Sequence, residues 1–167
     1  SGFYAQDPST ERLGGLFVYD GGTHSSETSA SPVTIGDTVT VIGVYEEYYG
    51  LTEIKSSTVT ITGTGETITP ASVSNPCDVA TGGTEAEDLE SMLITVSDVT
   101  VTDANPDAPD DYAEFEVDGC LRVDDLLSEA LVPQPDVGTH YTSLSGVLNF
   151  SYGHHKLIHR GAEDVEE

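Results

Sequence analysis

Apolar residues along this chain recur at every second position in short runs separated by turn residues. Residues 38–48, TVTVIGVYEEY, are the clearest case: Val39 and Val41 alternate with threonines, and the alternation changes phase after Gly43. A period of two marks a half-buried strand, and a glycine at a change of phase lets a long strand bend round a barrel corner. Residues 2–7 and 15–20 predict two paired strands joined by a polar turn over 8–14, with a loop over 21–32. Tyr49 and Gly50 then turn the chain into LTEIKSSTVTIT, and this first unit fades near Gly65.

Residues 70–84 have the composition of a linker, and 85–91 predict one or two helical turns with acidic residues at the start. Beyond them, strands are predicted over 92–103, 112–117 and 120–123, a short helix over 124–131, and strands over 141–152 and 155–160. A repeat ties the halves together. GVYEEYYGLTEI at 43–54 returns as GVLNFSYGHHKL at 146–157, with Gly43, Val44, Tyr49, Gly50 and Ile54 matched by Gly146, Val147, Tyr152, Gly153 and Leu157. Self-similarity at a fixed offset indicates two related units.

Strand, strand, strand, helix, strand, strand is the order of an OB-fold, a five-stranded Greek-key barrel. The first unit matches that order from its second strand onward, so its missing strand is expected upstream of Ser1. The fold class expected is therefore all-β: two tandem OB-like barrels at 1–69 and 85–167, joined by a linker at 70–84, the first without its N-terminal strand. The repeat is the hairpin of strands four and five in each copy. An incomplete barrel leaves strand edges open, so TVTITG or the linker is expected to cover one of them.

Composition changes the functional picture more than the fold. Five Lys and Arg stand against 30 Asp and Glu, for a net charge of −25. Phosphate binding draws on basic side chains that release counterions, so this surface repels a polyanion at a distance; solubility or a salty habitat is the plainer reading of the acidity. No apolar run approaches the roughly 20 residues of a membrane span. Cys77 and Cys120 are the two cysteines, open to one disulfide or two buried thiols; the bridge is favoured because Cys77 falls in an irregular stretch with little else to tie it down, and it suits the export that the threonine-rich, loop-rich character suggests.

GFYAQDP, GLFVYDG, IGDTVTVIGVYEEYYGLTEI, EDLESMLITVSDVTVTD and a closing YGHHKLIHRGAEDV together resemble the paired OB-like region of large secreted bacterial nucleases, ahead of their exonuclease–endonuclease–phosphatase domain. The resemblance covers nearly the whole chain. It implies an accessory, non-catalytic region with an extracellular or periplasmic location, whose partners include neighbouring domains of the same polypeptide. The acidity and the histidine-rich last hairpin depart from that picture.

Three groups of residues carry candidate chemistry. DANPDAPDDYAE at 103–114 places Asp103, Asn105, Asp107, Asp111 and Glu114 at positions 1, 3, 5, 9 and 12 of a calcium loop. Ala108 where such a loop needs glycine, together with Pro106 and Pro109, favours a solvated acidic hairpin loop instead. His154, His155 and His159 surround the last hairpin, and strand alternation puts His155, Leu157 and His159 on one face. In an OB barrel the first loop and this hairpin border the same mouth, which would bring Asp107, Asp110 or Asp111 toward His154 and His155 as zinc-type ligands; exposed rim residues are the competing reading.

The third group is aromatic: Tyr45, Tyr48 and Tyr49 on one hairpin and Tyr152 on the other. Rim aromatics of such barrels stack on bases or sugar rings, and alternation makes Tyr48 the one expected to be exposed. No nucleophile elbow is present, and neither the cluster His140, Ser143 and Ser145 nor the sequon at Asn149 is convincing. The expectation is a non-catalytic binding or spacer module, with calcium or zinc as candidate cations and a glycan, a protein or a cation-bridged nucleic acid as candidate ligand. The alternative is the nucleic-acid-positioning region of a secreted nuclease.

Overall fold

A computed structural model describes residues 2–19 and 33–167, which leaves the loop expected over 21–32 outside the described residues. The strands are β1 (Gly2–Gln6), β2 (Gly15–Tyr19), β3 (Thr38–Tyr48), β4 (Leu51–Gly63), β5 (Ala71–Val73), β6 (Leu93–Asp103), β7 (Phe115–Val117), β8 (Leu121–Asp124), β9 (His140–Ser151), β10 (His154–Ile158) and β11 (Val165–Glu166). Alternating valine, isoleucine and threonine account for the longest of them, since β-branched side chains fit a pleated, half-buried surface.

In the second unit β6 pairs with β7, β7 with β8, β8 in parallel with β10, β10 with β9, and β9 back onto β6. This closes a five-stranded barrel in the OB order. The first unit repeats β7–β8–β10–β9 as β1–β2–β4–β3, including the one parallel pair, and stops there as a curled, open sheet. No strand among the described residues pairs with the outer edges of β1 and β3. The expected edge covers do other work: residues 58–63 extend the β3–β4 pairing, and β5 adds in parallel to β6 of the second barrel.

Both copies of the repeat have the same geometry. Tyr49–Gly50 and Tyr152–Gly153 are two-residue turns in which all four residues have positive φ, the backbone of a type I′ hairpin. At the bend the register slips between Ile42 and Val44, so that Gly43 of β3 faces two residues of β4, 56 and 57. A Cβ on Gly43 would lie 2.4 Å from Ile54 Cγ2, and one on Gly146 would lie 2.5 Å from the Ile158 carbonyl. Each glycine thus lets the last strand cross close beneath the bend.

The pairing registers align one layer of side chains in the two units. Phe115, Val123, Leu157 and Leu148 stand opposite one another in successive strands of the closed barrel, and all four belong to its buried core. Phe3, Val18, Ile54 and Tyr45 hold the same places in the open sheet. There Val18 is buried, Phe3 and Ile54 are half-buried, and Tyr45 is 65% exposed. β6 and the residue before it add Met92, Ile94, Val96, Val99 and Val101 to that core, and Val117, Leu121, Tyr141 and Leu144 of the other strands complete its walls.

Several predicted elements take another form. Residues 124–131 are turns rather than a helix, because side chains compete for the backbone: Asp124 accepts from the Leu126 N–H at 2.8 Å and Ser128 from the Ala130 N–H at 3.2 Å. Over 85–91 the chain makes turns with a single helix-like bond, Leu89 N–H to the Glu85 carbonyl. The strand expected from Tyr112 starts only at Phe115, with Ala113 at positive φ before it. The stretch with linker composition is packed onto the second barrel: Val73, Val79 and Ala80 are core residues, and Cys77 is bonded to Cys120 in a disulfide that ties this segment to the β7–β8 turn.

Candidate functional site

The outer face of β8 and β10 collects the charged residues of the second unit. Arg122 and Lys156 are register neighbours across the parallel pair, and neighbouring side chains bury most of both. The loop after β6 folds over them. Arg122 Nη1 donates to Asp107 Oδ1 at 2.7 Å and to Glu114 Oε2 at 3.0 Å, while Lys156 Nζ donates to the other Glu114 oxygen and to Asp124 Oδ2 at 3.3 Å. Glu114, only 5% exposed, bridges the two cations. Burying carboxylates and cations is tolerable only when they are paired and hydrogen-bonded in this way.

This network decides the fate of the calcium loop. Asp107 and Glu114, two of the ligand positions, are held by protein cations. Asp103 Oδ1 accepts from the Asn105 N–H at 2.9 Å, Asn105 Oδ1 from the Asp107 N–H at 3.2 Å, and Asp111 Oδ1 from Ala113 N–H and Gln134 Nε2. The side chains close local turns instead of converging on a centre. Among the described residues, no group of three or more His, Cys, Asp or Glu side chains is arranged to hold a metal ion.

Asp107 is bonded to Arg122, and both act electrostatically on His154, while His155 lies on the other face of β10. Burial, and then the positive charges of Arg122 and Lys156, push the His154 pKa below the ordinary histidine range. A cleft of about 460 Å³ opens beside it, lined by Cys77, Thr81, Glu116, Arg122, His154 and His155.

His155 and His159 are buried, not exposed rim residues. The His155 ring packs on Phe150 with centroids 4.7 Å apart, and its Nε2 lies 3.7 Å from Glu90 Oε2, beyond hydrogen-bond reach. Neither ring nitrogen has a hydrogen-bond partner in the protein. The other Glu90 oxygen accepts from the Thr52 N–H of the first unit at 2.9 Å, so this buried pair sits at the junction of the two units. Four more bonds join the units: Tyr4 Oη to Asn149 Oδ1 at 2.9 Å, Leu93 N–H to Gln6 Oε1 at 2.9 Å, Leu13 N–H to the Asp88 carbonyl at 2.7 Å, and Arg12 Nη2 to Glu85 Oε1 at 2.6 Å. Asn149, the sequon residue, is buried by the same junction. Sequence reasoning missed this seam because its partners lie far apart in the chain.

The tyrosines form a rim at the hairpin tips. Tyr45, Tyr48, Tyr49 and Tyr152 are all more than half exposed, Tyr49 at 86% and Tyr152 at 95%. Tyr48 therefore is not the single exposed member. Alternation would turn Tyr45 inward, and it does face the interior side of the sheet beside Ile54, but it is left 65% exposed there. Tyr48 and Tyr49 meet edge to face at 4.8 Å, and the Tyr45 hydroxyl donates to Glu47, which also accepts from Thr52 Oγ1 at 2.8 Å. A Cβ on Gly50 would lie 2.6 Å from the Phe150 ring, so the first hairpin tip rests on the second barrel.

No catalytic grouping emerges from the residues considered in sequence: Ser145 Oγ shares a hydrogen bond with Thr95 Oγ1 at 2.6 Å, and exposed His140 lies 3.9 Å from Asp98. All five basic side chains are engaged. Arg12 meets Glu85, Lys55 meets Glu46, Arg122 and Lys156 form the network above, and Arg160 makes a two-pronged contact with Asp164. Comparison of the chain with protein-family models, with curated proteins and with solved structures finds no match.

Proposed function

We propose that this chain is a non-catalytic binding module of an exported multidomain protein, presenting the tyrosine rim of its two hairpin tips to a glycan or protein ligand. The observation that carries this reading is that every lysine and arginine is ion-paired while four hairpin tyrosines stand exposed. Such a surface offers stacking faces and hydroxyls but no unengaged positive charge, which suits a neutral or cationic ligand and disfavours a phosphate backbone. The disulfide supports an oxidising, exported setting.

The second reading, a nucleic-acid-positioning region of a secreted nuclease, draws on the same tyrosines, since bases stack on aromatic rings. It needs divalent cations to bridge the acidic surface and the phosphates. Tyrosine emission, uncomplicated by tryptophan, reports on both. Titration with neutral oligosaccharides and with single-stranded DNA, each with chelator and with calcium or magnesium, separates the two readings. Saturable quenching by a neutral sugar that is lost in Tyr49→Ala or Tyr152→Ala supports the first. DNA binding that appears only with divalent cations supports the second, and DNA binding in chelator at moderate salt overturns the charge argument behind the first.

A further inference from the structure

The groove between the outer edges of β1 and β3 has an internal template. In the second barrel the same gap, between β7 and β9, is filled by β6, which pairs antiparallel with both neighbours and inserts Ile94, Val96, Val99 and Val101 into the core. The β9 residues that take up β6 are 140–147, and the repeat maps these onto 37–44 of the first unit. There Tyr45, in the core-facing layer with Val18 and Ile54, is 65% exposed, and on the opposite face Ile42 is 71% and Val44 55% exposed. An unpaired edge next to exposed apolar residues is the arrangement that accepts an added strand.

We propose that this groove accepts one extended strand from a neighbouring domain, running antiparallel to β3 with apolar residues at alternate positions facing Val18, Ile54 and Tyr45. The proposal rests on the reading of the chain as one module among several. Charge selects the occupant. Asp7 follows β1, Asp37 precedes β3, and Glu46 and Glu47 lie near its end, within a chain of net charge −25. The strand is therefore one with lysine or arginine on its outer face. A second copy of this chain, carrying the same charge, is repelled.

The test uses the intact chain and an 11-residue peptide with the β6 sequence, residues 93–103, carrying Ser97→Lys, Asp98→Lys and Asp103→Lys. The expected result is a saturable one-to-one complex with Kd below about 1 mM, with slowed amide hydrogen exchange confined to β1 and residues 38–44 of β3. Tyr45→Lys should weaken it about tenfold without lowering the melting temperature, because Tyr45 is already exposed. A scrambled peptide of the same composition should not bind. No binding, protection placed elsewhere, equal affinity for the scrambled peptide, indifference to Tyr45→Lys, or edge-to-edge dimers of the chain would each overturn the proposal. Sugar or DNA titrations at the tyrosine rim are unaffected by that failure, so the two readings fall separately.

Discussion

Leu148 and Tyr45 occupy the same place in the two copies of one ladder, yet the first is wholly buried and the second is 65% exposed. The strands around them have the same order, the same parallel pair and the same hairpin turn. What differs is one strand. β6 and Met92 before it complete the second barrel, and only Val18 and Glu53 reach full burial among the described residues of the first unit before Pro70. Burial in a small barrel is a property of closure, and a residue's own hydrophobicity does not secure it.

The largest effect should come from breaking the charge network in the closed unit. Lys156→Met leaves one oxygen of buried Glu114 unpaired and Asp124 without its cation and should cost about 3–5 kcal/mol, whereas Lys55→Met, which removes an exposed partner of Glu46, should cost about 0–1 kcal/mol by chemical denaturation. The apolar layer should show a similar contrast. Leu148→Ala is expected to lose about 2–5 kcal/mol and Tyr45→Ala less than about 1 kcal/mol; equal losses would mean that the open sheet has a covered core after all. Cys77→Ser with Cys120→Ser should lower stability by about 2–5 kcal/mol, read from the same denaturation curves.

Acid sharpens the comparison through opposite signs. Burial holds the His159 pKa below the ordinary histidine range, despite the pull of Asp164, Asp125 and Asp124. The unfolded chain therefore takes up that proton first, and stability should fall as pH drops from about 7 toward the depressed value. Burial raises the Asp164 pKa, but hydrogen bonds from the Arg160 side chain and backbone outweigh it, so a further loss should follow below the usual aspartate range. Glu53 in the first unit behaves in reverse. Burial, and then Glu46, raise its pKa against the opposing effect of Lys55, so its contribution should improve as pH falls toward 4.5. Melting temperatures across pH 3–8 check this, with His159→Gln flattening the slope between pH 5 and 7 and Glu53→Gln removing the opposing term. The smallest effect belongs to the rim: Tyr49→Ala and Tyr152→Ala should each change stability by no more than about 0.5 kcal/mol.

Much of the fold could be read from local signals. The two-residue period of β3, the glycine at its phase change and the paired Tyr-Gly turns each act over a few residues, and the repeat made the shared topology visible. The site could not be read so well, because its chemistry depends on partners far apart in sequence. Asp107 and Glu114 looked like cation ligands by spacing, and only the meeting of β8 with β10 shows that Arg122 and Lys156 already occupy them. The turns of 85–91 resembled a helix start because acidic residues and an apolar repeat are shared by helices and by segments packed across a barrel mouth. His155 and Glu90 gave no joint signal at all, being 65 residues apart with nothing in either neighbourhood to link them.

The disulfide also shapes how this chain responds to being pulled. Cys77 and Cys120 are 43 residues apart, and the covalent bond short-circuits everything between them, including β6 and β7. A force applied at the two ends of the chain passes through the sulfur atoms and bypasses the strand that closes the barrel. About 150 Å of extended chain is thereby withheld from stretching until the bond is reduced. The open first unit contains no such lock, so under tension its whole length, like the residues after Cys120, is free to extend.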